Sequence, residues 1–249
     1  MDKRAVRRRF DAAAGSYDQA AELQRLVGRL LLDCLPASLA VDRAIDAGAG
    51  TGDGSRRLVQ RWPSIRIVAV DFATRMLSPG GICADIEALP LPDRVTDLYW
   101  SNLTWQWCDT GRAASEAHRV LRDQGVLAVS SLGPDTLCEL REAFAGVDGF
   151  HHAIDFRPPE QLVDACKMAG FADTALRRET VTVHHADLRA TLSALKAVGA
   201  SHVDGPRRPG LLGRRAWQVL ERRYEAWRSA AGLPTTYEVL LCTARKPTS

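Results

Sequence analysis

Three acidic residues and one glycine-rich turn occur in an order suited to gripping a nucleoside. The turn reads Asp46-Ala-Gly48-Ala-Gly50-Thr-Gly52. It follows a strand expected over Arg43–Ala47 and opens a helix expected over Asp53–Trp62. Glycines at such a place permit tight turning and let backbone N–H groups approach a ligand. The spacing is not G-x-G-x-x-G, because Ser55 stands three residues after Gly52. Asp71 ends the next apolar run, Ile65–Val70, and is followed by Phe72. An acid at that strand end can accept from both hydroxyls of a ribose. Asp85 follows a candidate third strand, Ile82–Ala84, with Ile86 beside it. A carboxylate there can accept from an exocyclic amine while the apolar neighbour packs the base.

The ordered set fits S-adenosylmethionine better than NAD. That molecule has no pyrophosphate to lay over a helix N-terminus, and its amino-acid end suits a turn carrying its own Asp. The competing structural reading is a tight strand–helix turn with solvated acids. After a fourth strand, Val95–Ser101, come Asn102, Leu103, Gln106 and Trp107, beside the expected position of a transferable methyl. Asn102 and Leu103 are assigned to the cofactor, and the Asn102 amide also to orienting a substrate. Trp105 and Trp107 read as core packing.

The elements that must position these residues alternate in type. Two helices are expected over 3–35, the second with Leu23, Leu26, Val27, Leu30 and Leu31 at helical spacing. A helix over Arg112–Leu121 precedes a fifth strand, Gly125–Ser130. Further on come a helix over Pro159–Ala169, ended by Gly170, a strand over Thr180–His184 and a helix over Leu188–Val198. Then follow a Gly/Pro-rich loop, Gly199–Gly213, a helix over Arg214–Ala231 and a last strand, Tyr237–Thr243. Strands alternating with helices indicate βαβ units and a parallel sheet.

The chain's 249 residues, 46% apolar and 25% charged, suit a globular protein, not a disordered or coiled-coil one. Its net charge of +3 announces no nucleic-acid partner. Of the 33 basic residues 29 are Arg, which reads as a source-composition bias. The six Cys (34, 83, 108, 138, 166, 242) form no C-x-x-C pair and lie near no His at ligand spacing. Reduced thiols, a cytoplasmic location and no metal are expected. The adjacent pairs His151-His152 and His184-His185 lack the i, i+4 spacing of two ligands on one helix face. The N-terminus has charges but no apolar stretch behind them, and Leu26–Val41 is interrupted by Arg29, Asp33 and Pro36. Neither a secretory signal nor a membrane span is expected.

The chain resembles class I S-adenosylmethionine-dependent methyltransferases, and within them the BioC family, the malonyl-carrier-protein O-methyltransferases of biotin synthesis. The resemblance covers nearly the whole length. It rests on Phe10-Asp-Ala-Ala-Ala-Gly-Ser-Tyr17-Asp18, Glu22-Leu23-Gln24, Asp85-Ile86-Glu87 and Ser101-Asn102-Leu103-Thr-Trp-Gln106-Trp107-Cys108. Outside the cofactor core it rests on Leu132-Gly133-Pro-Asp-Thr-Leu-Cys-Glu-Leu-Arg141, on Leu195-Lys196-Ala-Val-Gly199-Ala200 and on Arg207 with Gly210-Leu-Leu-Gly213. Leu233-Pro-Thr-Thr-Tyr237-Glu238-Val239 completes the set.

The resemblance implies a Rossmann-like α/β fold: a mostly parallel seven-stranded sheet with an antiparallel last strand and a helical lid. It implies S-adenosyl-L-methionine as cofactor, S-adenosyl-L-homocysteine as product, and the free carboxylate of a malonyl thioester, on acyl carrier protein or coenzyme A, as acceptor. Because the acceptor is already ionised, no general base is needed, and alignment in a dry pocket is the site's task. Tyr17, as a neutral donor, and Arg207, as a bidentate fork, are the candidate groups for the carboxylate. One domain is expected over 1–249, with N-terminal lid helices in 1–40, a cofactor core in 41–184, a helical insertion in 185–234 and the last strand in 235–246.

From Gly205 to Arg228 seven Arg (207, 208, 214, 215, 222, 223, 228) face two Glu (221, 225), and Lys3, Arg4, Arg7, Arg8 and Arg9 form a second cluster. Positive faces of this kind steer acidic partners such as carrier proteins. Neither a nucleic acid nor a membrane is an expected partner. After Met76-Leu77 the chain reads Ser-Pro-Gly-Gly, so the helix usual in the family before Asp85 must shrink to about one turn. That is expected to leave the sheet edge or the adenine side more open and to weaken cofactor retention. Gly-Pro-Asp-Thr-Leu and Leu-Pro-Thr-Thr-Tyr also resemble a mitochondrial complex I assembly factor linked to arginine hydroxylation. A hydroxylase, another small-acid methyltransferase and a non-catalytic assembly factor are therefore the alternative readings.

Overall fold

A computed structural model describes residues 2–147, 154–198 and 212–248. Seven strands form one sheet: β1 (Arg43–Ala47), β2 (Arg66–Asp71), β3 (Ile82–Cys83), β4 (Thr96–Ser101), β5 (Leu121–Leu132), β6 (Ala172–His185) and β7 (Leu233–Arg245). Their spatial order is β3-β2-β1-β4-β5-β7-β6. The first five pair in parallel, and β7 runs antiparallel between β5 and β6. The reversal of direction on either side of β1 places a crevice beyond the C-terminal ends of β1 and β4.

Helices cover both faces. On one lie α3 (Glu22–Asp33), α4 (Asp53–Arg61), α6 (Cys138–Phe144) and α9 (Arg214–Glu225), contributing Leu23, Val27, Leu31, Leu58, Leu140, Leu220 and Tyr224 to the core. On the other lie α5 (Thr110–Val120) and α7 (Pro159–Met168), with Ala113, Ala117, Leu162 and Cys166 buried. The α3 stripe follows the expected spacing, and Arg61 fixes its C-terminal end by donating to the carbonyls of Leu32, Leu35 and Pro36. The remaining helices, α1 (Lys3–Ala13), α2 (Tyr17–Ala20) and α8 (Leu188–Ala197), lie over the crevice end of the sheet. Asp2 caps α1 by accepting from the N–H groups of Arg4 and Ala5.

Several boundaries differ from the expected ones. β6 and β7 are 14 and 13 residues long because they pair along nearly their whole length, which supplies ladder hydrogen bonds to polar positions that no apolar alternation marked. α9 stops at Glu225, and the Ser229–Gly232 turn leads directly into β7. α6 was not expected; it is short and follows Leu137, whose φ of 58° breaks the chain direction. The segment after Asp71 contains only turns, at Thr74–Met76 and Pro79–Gly80. Its shortness exposes a groove of about 600 Å³ between α4 and β2, lined by Val59, Ile67, Ala69 and Leu77. This opening lies away from the slot beside Asp85, which α1 covers. Of the two places expected to open, the groove falls on the sheet-edge side, while Lys3 of α1 lies over the slot beside Asp85. Among the described residues no helix is long and apolar enough to cross a membrane.

Candidate active site

β1 ends in the turn that carries Asp46, and the turn is braced from within. The N–H groups of Gly48 and Ala49 both donate to the Val70 carbonyl (2.8 and 3.0 Å), that of Gly50 to Asp71 Oδ2 (2.8 Å) and that of Gly52 to the Ala49 carbonyl (2.9 Å). These donors are thus spent inside the protein, contrary to the expectation that they face a ligand. What the glycines supply is shape. Gly48 has φ +76°, and a Cβ there would fall onto the Thr104 side chain. Gly52, at φ +85°, starts α4. At Gly54 a Cβ would lie 2.7 Å from Trp100 Nε1 and 2.9 Å from Asp46 Oδ2.

Asp46 is 2% exposed and accepts from Ser55 Oγ at 2.7 Å. Burial pushes its carboxyl up to about 6, against the hydrogen bonds from Ser55 and with the added repulsion of Asp71 and Asp53. Asp71 accepts from Ala73 N–H and Gly50 N–H, both at 2.8 Å. Burial raises its pKa too, partly offset by those same N–H groups. Its oxygens are therefore the strut of the turn. Asp85 sits at the far end in a slot with Phe72, Ile86, Trp107 and Lys3. Lys3 Nζ contacts both Asp85 and Glu87 at 2.5 Å, so the ammonium of the lid helix occupies the carboxylate edge. Phe10, also on α1, meets Phe72 and Trp107 edge-on at ring distances of 6.4 and 5.7 Å.

Two cavities adjoin the turn. One, of about 220 Å³, is lined by Asp46, Gly48, Gly50, Asp53, Gly54, Arg56, Asn102, Tyr17 and Gln24. The other, of about 350 Å³, is chiefly apolar: Phe10, Leu103, Trp107, Leu137, Leu140, Phe156, Leu192 and Tyr237 contribute to its wall. Tyr17 and Gln24 line both. The floor of the apolar cavity comes from segments remote in sequence. Leu137 N–H donates to the Thr236 carbonyl, Thr136 and Glu238 bond reciprocally, and buried Glu139 accepts from Thr236. Leu103 and Leu137, two of the cavity's residues, have left-handed φ of 51° and 58°. Each is held by a backbone donor, Leu103 N–H to Ser130 Oγ and Leu137 N–H to Thr236.

Tyr17 lies between the cavities. Burial, with the carboxylates of Asp71, Asp18 and Asp53, pushes its phenol well up, so it stays protonated and remains a donor. The Asn102 amide is committed at both ends, donating to the Gln24 carbonyl (2.9 Å) and accepting from Ser130 Oγ (2.7 Å). It faces the smaller cavity as a brace between lid and sheet, and these two bonds leave one N–H of the amide unused. Arg207 lies outside the described residues, as do His151 and His152. No described lining residue of the apolar cavity is Arg or Lys. Among the described residues no cluster of His, Cys, Asp or Glu could hold a metal.

Sequence reasoning missed Lys3, Gln24, Gly54, Trp100 and Thr104. Trp100 Nε1 is buried without a partner, beside Asp46. The signal available for Gly54 was its position four residues beyond Gly50, in register with the helix it opens.

Comparison with known proteins agrees with this geometry. A methyltransferase-domain family model matches residues 45–129. A malonyl-(acyl-carrier protein) O-methyltransferase from Gallionella capsiferriformans is 41% identical, the match covering 99% of this chain and 92% of the relative. That match decides the family. The chain belongs to the malonyl-(acyl-carrier protein) O-methyltransferases. Family members share an S-adenosylmethionine-dependent methyltransferase core, here the sheet and turn just described. A biotin biosynthesis bifunctional protein from Cellvibrio japonicus is 36% identical over 99% of this chain and 51% of its own length. A solved S-adenosylmethionine-dependent methyltransferase from Thermotoga maritima, described as a possible histamine N-methyltransferase, has the same fold. Its TM-score is 0.58, with 18% identity over 96% of this chain and 99% of that one.

Proposed function

We propose that this O-methyltransferase methylates the free carboxylate of a malonyl group on acyl carrier protein, in biotin synthesis. The observation that carries the reading is the junction of a carboxylate-lined cavity with an apolar one at Tyr17. S-adenosylmethionine fits the first: buried Asp46 and half-buried Asp53 face it, carboxylates suited to an ammonium, beside the bare backbone of Gly48 and Gly50. Asp46 is proposed for its amino-acid end, Asp71 for the ribose, and Asp85 with Phe72 and Ile86 for the adenine. Gly48, Gly50, Gly52, Asn102 and Leu103 shape the space. When bound, the cofactor supplies a sulfonium methyl; the carboxylate oxygen gains it and the sulfur keeps the bonding pair.

The protein's residues have three tasks. Tyr17 hydrogen-bonds the carboxylate as a neutral donor. The apolar wall excludes water, whose solvation of a charge pair that is about to vanish would slow transfer. Arg207 is proposed to guide the carboxylate inward. The lid helices and the sheet act as one domain.

Carrier protein is favoured over coenzyme A by exposed Arg4, Arg7 and Arg8 on α1 and Arg214, Arg215 and Arg222 on α9. Such charge accelerates encounter with an acidic partner and is screened by salt. The expected kcat/KM at low salt is at least about tenfold higher for malonyl-carrier protein than for malonyl-CoA, narrowing above roughly 0.3 M salt. Equal, salt-insensitive values would contradict the carrier-protein assignment.

Asp46 also sets a pH dependence. Its folded pKa lies above the ordinary value near 4, so the fold favours the neutral acid. That contribution to stability is complete below pH ~4 and is lost as pH rises through about 6. Binding of the cofactor's ammonium runs the other way, since it needs the ionised form. Calorimetry is expected to show S-adenosylhomocysteine bound about tenfold more weakly at pH 5 than at pH 8. Asp46→Asn should bind weakly and without that slope.

A further inference from the structure

We infer that Gln24 is a second neutral donor to the acceptor carboxylate, acting beside Tyr17; this rests on the carboxyl-methylation reading above. Among the described residues Tyr17 and Gln24 are the two that line both cavities, which puts them where a methyl would pass from one to the other. Their placement differs from that of the rest of the wall. Gln24 lies in the first turn of α3, and its main-chain carbonyl accepts from Asn102 Nδ2 at 2.9 Å. Asn102 Oδ1 accepts in turn from Ser130 Oγ at 2.7 Å, which itself receives Leu103 N–H at 2.8 Å. This relay ties the Gln24 backbone to the ends of β4 and β5, where the crevice opens.

The side chain, by contrast, is uncommitted. Its amide makes no hydrogen bond with any described residue, and Oε1 is buried without a partner. Oε1 is an acceptor that a carboxylate cannot complete; the group left for an acceptor ligand is the NH₂, which donates to no described residue. Gln106 differs in its donor alone: it does not line the smaller cavity and its Nε2 is spent on the Leu103 carbonyl at 2.7 Å, while its Oε1 is likewise buried without a partner. A carboxylate offers acceptors alone, so the group it requires is an N–H or O–H donor. The Gln24 NH₂ and the Tyr17 hydroxyl supply one each, without a formal charge. Two neutral donors fix the carboxylate plane and leave its attacking oxygen reactive, whereas a cation at the same point would stabilise the ground state that transfer must dissipate.

The test compares wild type with Gln24→Met, which keeps length and removes hydrogen bonding, and Gln24→Glu, which keeps shape and removes both donors. Methyl transfer to malonyl-carrier protein is measured at saturating S-adenosylmethionine, and S-adenosylhomocysteine affinity by calorimetry. Gln24→Met should lose about tenfold in kcat/KM, and Gln24→Glu more, through repulsion of the carboxylate. Homocysteine-product affinity should stay within about twofold in both, as a general collapse of the lid would not allow. Wild-type kcat/KM in Gln24→Met would overturn the assignment. So would a parallel loss of S-adenosylhomocysteine affinity, which would place Gln24 on the cofactor side. Absence of transfer by wild type itself would instead refute the underlying carboxyl-methylation reading.

Discussion

Tyr17→Phe is expected to lower kcat/KM for the malonyl acceptor by about 100-fold while leaving S-adenosylhomocysteine affinity within about twofold. The substitution removes one oxygen and no ring, so the wall shared by the two cavities keeps its shape. The size of the effect follows from what the phenol contributes. Charge disappears in the transition state, so a hydrogen bond gains nothing by growing stronger there; its contribution is alignment. A misplacement of roughly 1 Å at a reacting atom can cost about 100-fold. The phenol's raised pKa keeps it a donor across the working range, so the wild-type rate should show no Tyr17 titration. Single-turnover rates with saturating cofactor would check this. A Phe variant as fast as wild type would remove Tyr17 from the site without touching the family assignment.

Gly48→Ala is expected to abolish measurable S-adenosylhomocysteine binding and to lower stability by about 2–5 kcal/mol. The backbone there has φ +76°, a conformation costing an L-residue roughly 1–2 kcal/mol. The new methyl would also drive into Thr104, and relieving such overpacking costs about 1–3 kcal/mol. Gly48 lines both the cavity at Asp46 and the slot at Asp85, so any shift closes space at two points of the proposed cofactor path. Thermal melts and calorimetry would separate the two losses. Gly48→Ala with Thr104→Ala should recover part of the stability, since the second change relieves the clash but not the φ strain. Full recovery of both properties would show that backbone strain is unimportant there.

The site's cofactor half was legible because its requirements are local. A glycine turn after a strand, and an acid at each of the next strand ends, are read directly from spacing around Asp46, Asp71 and Asp85. The parallel pairing of the first five strands follows from the same βαβ pattern, and β1 has the expected bounds. The acceptor half was legible only through resemblance. Its floor joins Thr136 to Glu238 and Leu137 to Thr236, pairs about a hundred residues apart. Periodicity carries no information about such partners. Likewise nothing near Lys3 announces that its ammonium reaches Asp85 and Glu87. The glycine N–H groups were misjudged because a turn's donors can be satisfied by its own framework, here Val70, Ala49 and Asp71. Asn102 sits where expected, and the α3 backbone takes one N–H of its amide.

The most direct test of the account is to incubate the protein with S-adenosylmethionine labelled in its methyl group and malonyl-carrier protein, then treat the product with mild alkali. The account predicts label on the carrier protein's malonyl group, released by alkali as methanol, because a carboxyl ester hydrolyses where an N-methyl group does not. Label that resists alkali, or no label on the carrier at all, would contradict it.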